Sequence, residues 1–159
     1  MVKRIPEKAW YNIRDPKNFY VAMRDDVKLL FEHRAYLSLT TIIVCCLDAI
    51  AASGGHASKA TFSKFVVGHF PGLVKDIERA RPGKTGADVL YEEFRNGFAH
   101  LRGPKPSCAI AENHELDGDW AGIVEIPGGA PLLAINVDRL AQEFLALVER
   151  LNGEANKHV

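Results

Sequence analysis

The sequence predicts a mainly α protein, a bundle of about five helices with a small antiparallel β-hairpin set before the last one. Apolar residues recur at helical spacing through residues 16–103 and again after 138. Residues 104–136 break that rhythm with Pro104, Pro106, Pro127, Pro131 and several glycines around short apolar runs. The chain has 159 residues, 47% hydrophobic and 25% charged, ordinary values for one globular domain. Residues 1–159 therefore read as a single domain, with the hairpin region at about 104–136 as an insertion.

The elements follow in order. Asp15-Pro16 is an N-cap followed by proline at the first helical position. Phe19, Tyr20, Met23, Val27, Leu30 and Phe31 then share one helix face. A second helix spans roughly Tyr36 to Ala52. It is apolar nearly all round, which predicts a central position, and Gly54-Gly55 ends it. Ser58 is placed to cap a third helix carrying Phe62, Phe65, Val66 and Phe70. Pro71 interrupts or kinks it, and the pattern resumes at Leu73 and Ile77. Arg81-Pro82-Gly83-Lys84 is a turn. Thr85 and Asp88 make an approximate capping box for a fourth helix, whose stripe is Leu90, Phe94, Phe98 and Leu101. Gly103-Pro104 stops it.

Gly122–Ile126 and Leu132–Ile135 read as strands joined by Pro127-Gly128-Gly129-Ala130, with a further strand around Cys108–Glu112 less strongly marked. Asp138 is placed to cap a last helix through Leu140, Phe144, Leu147, Val148 and Leu151. Trp10 and Tyr11 are candidates to anchor the N-terminal segment on the bundle or on a partner.

Composition narrows the function classes. Twenty Lys+Arg balance twenty Asp+Glu, so the chain is no general polyanion binder, and nucleic-acid contact would have to be local. The N-terminal MVKRIPEKAWYNIRD lacks an apolar signal core. The stretch from Ala35 to Ala52 contains Ser38, Thr40, Thr41 and Asp48 and reads as a core helix, not a membrane span. The cysteines, Cys45, Cys46 and Cys108, form neither a disulfide framework nor a CxxC metal site. A cytoplasmic location is the expectation.

One constellation carries chemistry. The fourth helix reads Tyr91-Glu92-Glu93-Phe94-Arg95-Asn96-Gly97-Phe98-Ala99-His100. Glu92, Asn96 and His100 follow an i, i+4, i+8 stripe with Arg95 beside it. The apolar stripe lies opposite, so this polar group is expected to face water or a partner. Arg offers a permanently charged planar fork for phosphate oxygens, His exchanges a proton near neutrality, and Asn adds a neutral donor and acceptor. Gly97 costs about 1 kcal/mol inside a helix and predicts close approach by a backbone or ligand. Spacing alone equally describes Arg95 paired with Glu92 or a neighbouring carboxylate, and His100 as a cation at the helix C-terminus.

Arg-Asn-x-x-x-His late in a helix, after an acidic-aromatic segment, resembles the signature of the HEPN superfamily of small α-helical bundles. Arg95, Asn96 and His100 match it, and Glu92 stands where some members carry an acidic residue. The resemblance covers residues 16–103 as a bundle, without the hairpin region. It implies a metal-independent endoribonuclease without cofactor. Such a protein dimerises through the motif helix and acts on RNA in a toxin–antitoxin or defence setting, with a cognate antitoxin as a partner. In that role Arg95 stabilises charge on the phosphorane, His100 assists proton transfer, and Asn96 positions the phosphate or His100. The family also holds non-catalytic modules that bind a protein or nucleotide ligand, which is the alternative.

Arg102, Lys105 and Lys84 are candidates for a basic, substrate-binding rim with Glu92, or simply for cations near a helix end. Gly83-Lys84-Thr85 resembles the end of a P-loop, but Glu78 stands where its first glycine belongs. It reads as a turn and cap. His33, His56, His69, His100, His114 and His158 show no zinc spacing, and no metal site is expected. Asn113–Asp119 is a polar loop without the length of an EF-hand.

Overall fold

The computed structural model describes residues 16–53, 55–101 and 103–155, without the side chains of Pro16, Lys17, His100 and Leu101. The expected cap Asp15, the anchors Trp10 and Tyr11, and Gly54 and Arg102 lie outside the described residues.

Helix α1 (Pro16–Glu32) buries Met23 and Val27 and seats Phe19, Tyr20, Leu30 and Phe31 at the core's edge. Arg34, at a left-handed φ of 52°, turns the chain into α2 (Tyr36–Ala51). Helix α2 buries Leu39, Ile43, Val44, Leu47 and Ile50. Its polar residues fit because Thr40 and Thr41 donate to the carbonyls of Tyr36 and Leu37, both at 2.8 Å. Helix α2 is less central than its composition predicts. Leu37, Cys45 and Ala49 are exposed along one face.

Ser58 caps α3 (Lys59–His69). Its hydroxyl accepts from the Thr61 amide at 3.1 Å, and Thr61 Oγ1 accepts from the Ser58 amide at 3.0 Å. Phe70 leaves the helical region and Pro71 takes the first position of α4 (Pro71–Ala80), so the proline separates two helices instead of bending one. The turn at 81–84 uses Gly83 at φ 96°.

Thr85 Oγ1 accepts from the Asp88 amide at 3.2 Å and opens the fourth helical rod. This rod is not one regular helix. It comprises α5 (Gly86–Val89), a π-helical turn (Leu90–Arg95) and α6 (Asn96–Leu101). The backbone stays helical at both junctions, with φ and ψ of −59° and −42° at Leu90 and −69° and −33° at Asn96. Within the π turn the Asn96 amide donates to the Tyr91 carbonyl, five residues back. Leu90, Phe94 and Phe98 are buried as expected.

The C-terminal third holds more than a hairpin. Strands β1 (Cys108–Ala111), β2 (Ala121–Val124) and β3 (Leu132–Asn136) form a mixed sheet in the order β1-β3-β2. The predicted hairpin is β2 against β3, antiparallel, with Ala121 opposite Ile135 and Val124 opposite Leu132. Strand β1 adds in parallel, Cys108 opposite Leu133. The loop turns at Pro127-Gly128, where Gly128 has φ 74° and the Gly129 amide reaches the Ile126 carbonyl at 2.8 Å. Asn113–Leu116 forms a 3₁₀ turn.

Helix α7 (Val137–Ala155) closes the bundle against α1 and α2. Its cap is not Asp138. Buried Asn136 accepts from the Arg139 amide at 3.0 Å, whereas Asp138 accepts from the Asn113 amide at 2.7 Å. The sheet packs on α4, α2 and α7. Phe62, Phe70, Phe94 and Phe144 are fully buried at the centre, each contributing roughly 1.5–3 kcal/mol. Among the described residues no helix is long and apolar enough to cross a membrane.

Candidate functional site

The π turn sends Glu92, Glu93 and Arg95 to different partners, so Glu92 and Arg95 do not act together on the face that α-helical spacing predicts for them. Arg95 ends the π turn and lies on α2. Its Nη2 donates to Asp48 Oδ2 at 2.7 Å and its Nη1 to Asn96 Oδ1 at 2.9 Å. The guanidinium also sits 5.2 Å from the centroid of the Tyr91 ring. It is 22% exposed and Asp48 is 14% exposed, so the pair is half-buried at the surface. The Asp48 hydrogen bond is the chief reason the Arg95 pKa is raised.

Glu92 turns to α3. Lys59 Nζ donates to it at 2.8 Å and lies 3.0 Å from Asp88. That cation holds the pKa values of both carboxyls below their ordinary range. Lys84 stands 3.8 Å from Glu92 and 3.3 Å from Glu93. The lysine expected on a substrate rim therefore sits among acidic groups.

Glu93, which spacing did not single out, is buried at 8% exposure. It takes an ion pair from Arg81, Lys84 Nζ at 3.3 Å, the Cys108 thiol at 3.2 Å and the Ser107 hydroxyl at 3.4 Å. Burial opposes its charge, but hydrogen bonds from Cys108 and Arg81, the Arg81 charge and a Lys84 bond outweigh that, and its pKa is lowered. Burial first, then the hydrogen bond to Glu93 and its charge, push the Cys108 thiol up to about 11. Glu93 thus ties the π turn to the 81–84 turn and to the start of β1.

Gly97 explains how the following chain returns. A Cβ at this position would lie 2.6 Å from the Gly103 carbonyl oxygen and 3.0 Å from both Lys105 N and Pro104 Cα. The close approach that a mid-helix glycine predicts is thus made by backbone. The Lys105 amide then donates to the Glu93 carbonyl at 3.0 Å, and the Lys105 side chain is exposed. His100 lies on α6. Its side chain and Arg102 are outside the described residues.

Of the expected site residues, Arg95 and Asn96 are brought together, while Glu92 and Lys84 join a separate network with Lys59 and Asp88. Asp48, Tyr91 and Glu93 are the additions. Asp48 carried a signal, being the one charged residue between Ala35 and Ala52. Glu93 carried none that distinguishes it from Glu92. Gly83-Lys84-Thr85 serves as turn and helix cap. Among the described residues no group of three or more His, Cys, Asp or Glu could hold a metal ion. No family model, curated protein or solved structure matches the chain.

Proposed function

We propose that this chain is a HEPN-like bundle that cleaves RNA as a homodimer without a metal ion, with Arg95, Asn96 and His100 at its centre. The observation that supports this reading best is the way Arg95 is held. Two of its donors are engaged, by Asp48 and Asn96, out of the five a guanidinium offers. The side chain remains partly exposed at a π-to-α junction, a backbone feature frequent at functional sites. A fixed, permanent cation of this kind suits the charge that develops on a phosphorane.

In this mechanism the RNA 2′-hydroxyl attacks the adjacent phosphorus and the bond to the 5′-oxygen breaks. The products are a 2′,3′-cyclic phosphate and a 5′-hydroxyl. Arg95 stabilises the phosphorane oxygens, Asn96 orients Arg95 through its side-chain oxygen, and His100 moves the proton. Among the described residues of α2 and α6, the small uncharged Cys45, Ala49 and Ala99 are exposed. That favours close approach of the same helix from a second copy. A cognate antitoxin in a toxin–antitoxin or defence setting belongs to the same proposal.

The second reading is a non-catalytic HEPN-like module that binds a protein or nucleotide ligand. The 2.7 Å pair with Asp48 favours it, because much of the Arg95 charge is already balanced inside the chain. Incubation of varied RNAs with the native protein in EDTA separates the two. Cleavage that Arg95→Ala and His100→Ala each abolish supports the nuclease. No cleavage by folded, dimeric native protein supports the module.

A further inference from the structure

A groove of about 380 Å³ runs between the C-terminal end of α2 and the exposed face of α3, lined by Ala51, Gly55, Lys64, Phe65, Gly68 and His69 among others. Its volume lies at the lower end of ligand pockets. The backbone at Gly55 and Gly68 borders open space, since a Cβ on either would meet nothing within 4 Å.

Its chemistry is mixed in a specific way. Phe65 and His69 place two rings 4.4 Å apart, centroid to centroid. Arg150 Nη2 lies 3.0 Å from His69 Nδ1. A guanidinium only donates, so Nδ1 accepts and the His69 proton sits on Nε2. Lys64 is exposed and, among the described residues, forms no ion pair. Aromatic faces, an N–H donor and a cation without a carboxylate partner match a base with its phosphate.

The position matters as much. Ala51 follows Asp48 by three residues on α2, so the two share a helix face about 5–6 Å apart, and Asp48 holds Arg95. We propose that this groove binds the nucleotide next to the cleaved phosphate in single-stranded RNA, its base against Phe65 and His69 and its phosphate at Lys64. This rests on the reading of Arg95 as the phosphate centre. Stacking on aromatic rings is sequence-tolerant, so the groove supplies grip and register. It also gives local RNA affinity to a chain of zero net charge.

The test is equilibrium binding of a fluorescent, uncleavable 2′-O-methyl oligonucleotide to the full chain. Gly68→Leu fills the groove from a position with open space around it, and Lys64→Gln removes the cation. Val67→Ser, exposed on the same helix but not lining the groove, is the control, with circular dichroism to check folding. Gly68→Leu is expected to weaken binding about tenfold or more, in the range of one lost stacking contact. Lys64→Gln is expected to weaken it and lower the log–log salt slope by about 0.7. Val67→Ser is expected to bind as the native chain does.

Binding by Gly68→Leu within twofold of native overturns the proposal, as does failure of the native chain to bind the oligonucleotide. An acidic peptide displaced by Gly68→Leu while the oligonucleotide is retained identifies a peptide groove and also overturns it. Loss of oligonucleotide binding in Gly68→Leu, with no cleavage of any RNA by the native chain, leaves the groove standing and removes the nuclease. Cleavage by the native chain with unaffected groove variants does the reverse.

Discussion

Substituting Gly97 by alanine sets two effects of known size against each other. Alanine in a helix is favoured over glycine by about 1 kcal/mol. Against that, the new Cβ would sit 2.6 Å from the Gly103 carbonyl oxygen and 3.0 Å from Lys105 N and Pro104 Cα. These are backbone atoms that cannot swing aside as a side chain does. Overpacking of this kind costs about 1–3 kcal/mol. Displacing the strap also strains the bond from the Lys105 amide to the Glu93 carbonyl, worth about 0.5–1.5 kcal/mol. The balance is a net loss of roughly 0.5–3.5 kcal/mol, centred near 2. For a chain of this length that lowers the melting temperature by about 4–8 °C. Urea and thermal unfolding followed by circular dichroism measure it, with Gly68→Ala as a control. A Cβ on Gly68 meets nothing within 4 Å, so that variant is expected to gain up to about 1 kcal/mol. If Gly97→Ala matches or exceeds native stability while Gly68→Ala rises, the chain at 103–105 does not press on this helix and the reasoning fails.

Four further predictions follow from the charged clusters and the cysteines. Glu93→Gln leaves Arg81 without its carboxylate and is expected to cost about 2–4 kcal/mol by urea unfolding; a loss below 0.5 kcal/mol, roughly the size of an ordinary surface change, would show the cluster is not structural. Because the folded pKa of Glu93 is lowered from 4.5, its stabilising contribution is present above that value and lost as pH falls through the folded pKa. Stability measured from pH 6 downward should decline below about 4.5 and do so less steeply in Glu93→Gln. A thiol reagent at pH 8 should label exposed Cys45 first and leave Cys46 and Cys108, whose thiols are pushed up to about 12 and about 11, protected until unfolding. A double-mutant cycle of Arg95→Ala and Asp48→Ala should give a coupling of about 1–2 kcal/mol, between surface and buried pairs; additive effects would remove Asp48 as the holder of Arg95.

What the sequence made legible was local. Ser58 and Thr85 as caps, the break at Pro71, the glycine turn at 83 and the β2–β3 hairpin are each set by residues within a few positions of one another. The misses are long-range or concern helix register. Strand β1 was expected around Cys108–Glu112 and is present at Cys108–Ala111, but its parallel pairing was not legible, because its partner strand is more than twenty residues away. Asp138 is as good a cap as Asn136 by type, and only the buried contacts of Asn136 with Asn113 and Asp119 decide between them. At the candidate site, Arg95 and Asn96 were legible as neighbours. The Asp48 partner stands 47 residues earlier, and no periodicity points to it. The π turn was hidden because Leu90, Phe94 and Phe98 keep helical spacing while the backbone between them takes up an extra residue.

The most direct measurement of the central claim is the chemistry of cleaved RNA ends. Native protein, Arg95→Ala and His100→Ala, each verified as folded and dimeric, would be incubated in EDTA with an RNA the native chain cuts and with its 2′-deoxy counterpart at the cut position. A 2′,3′-cyclic phosphate and a 5′-hydroxyl are expected from the native chain alone, with no cleavage at the 2′-deoxy site. Equal cleavage by all three proteins, or cleavage at the 2′-deoxy site, would contradict Arg95 and His100 as the centre of the reaction.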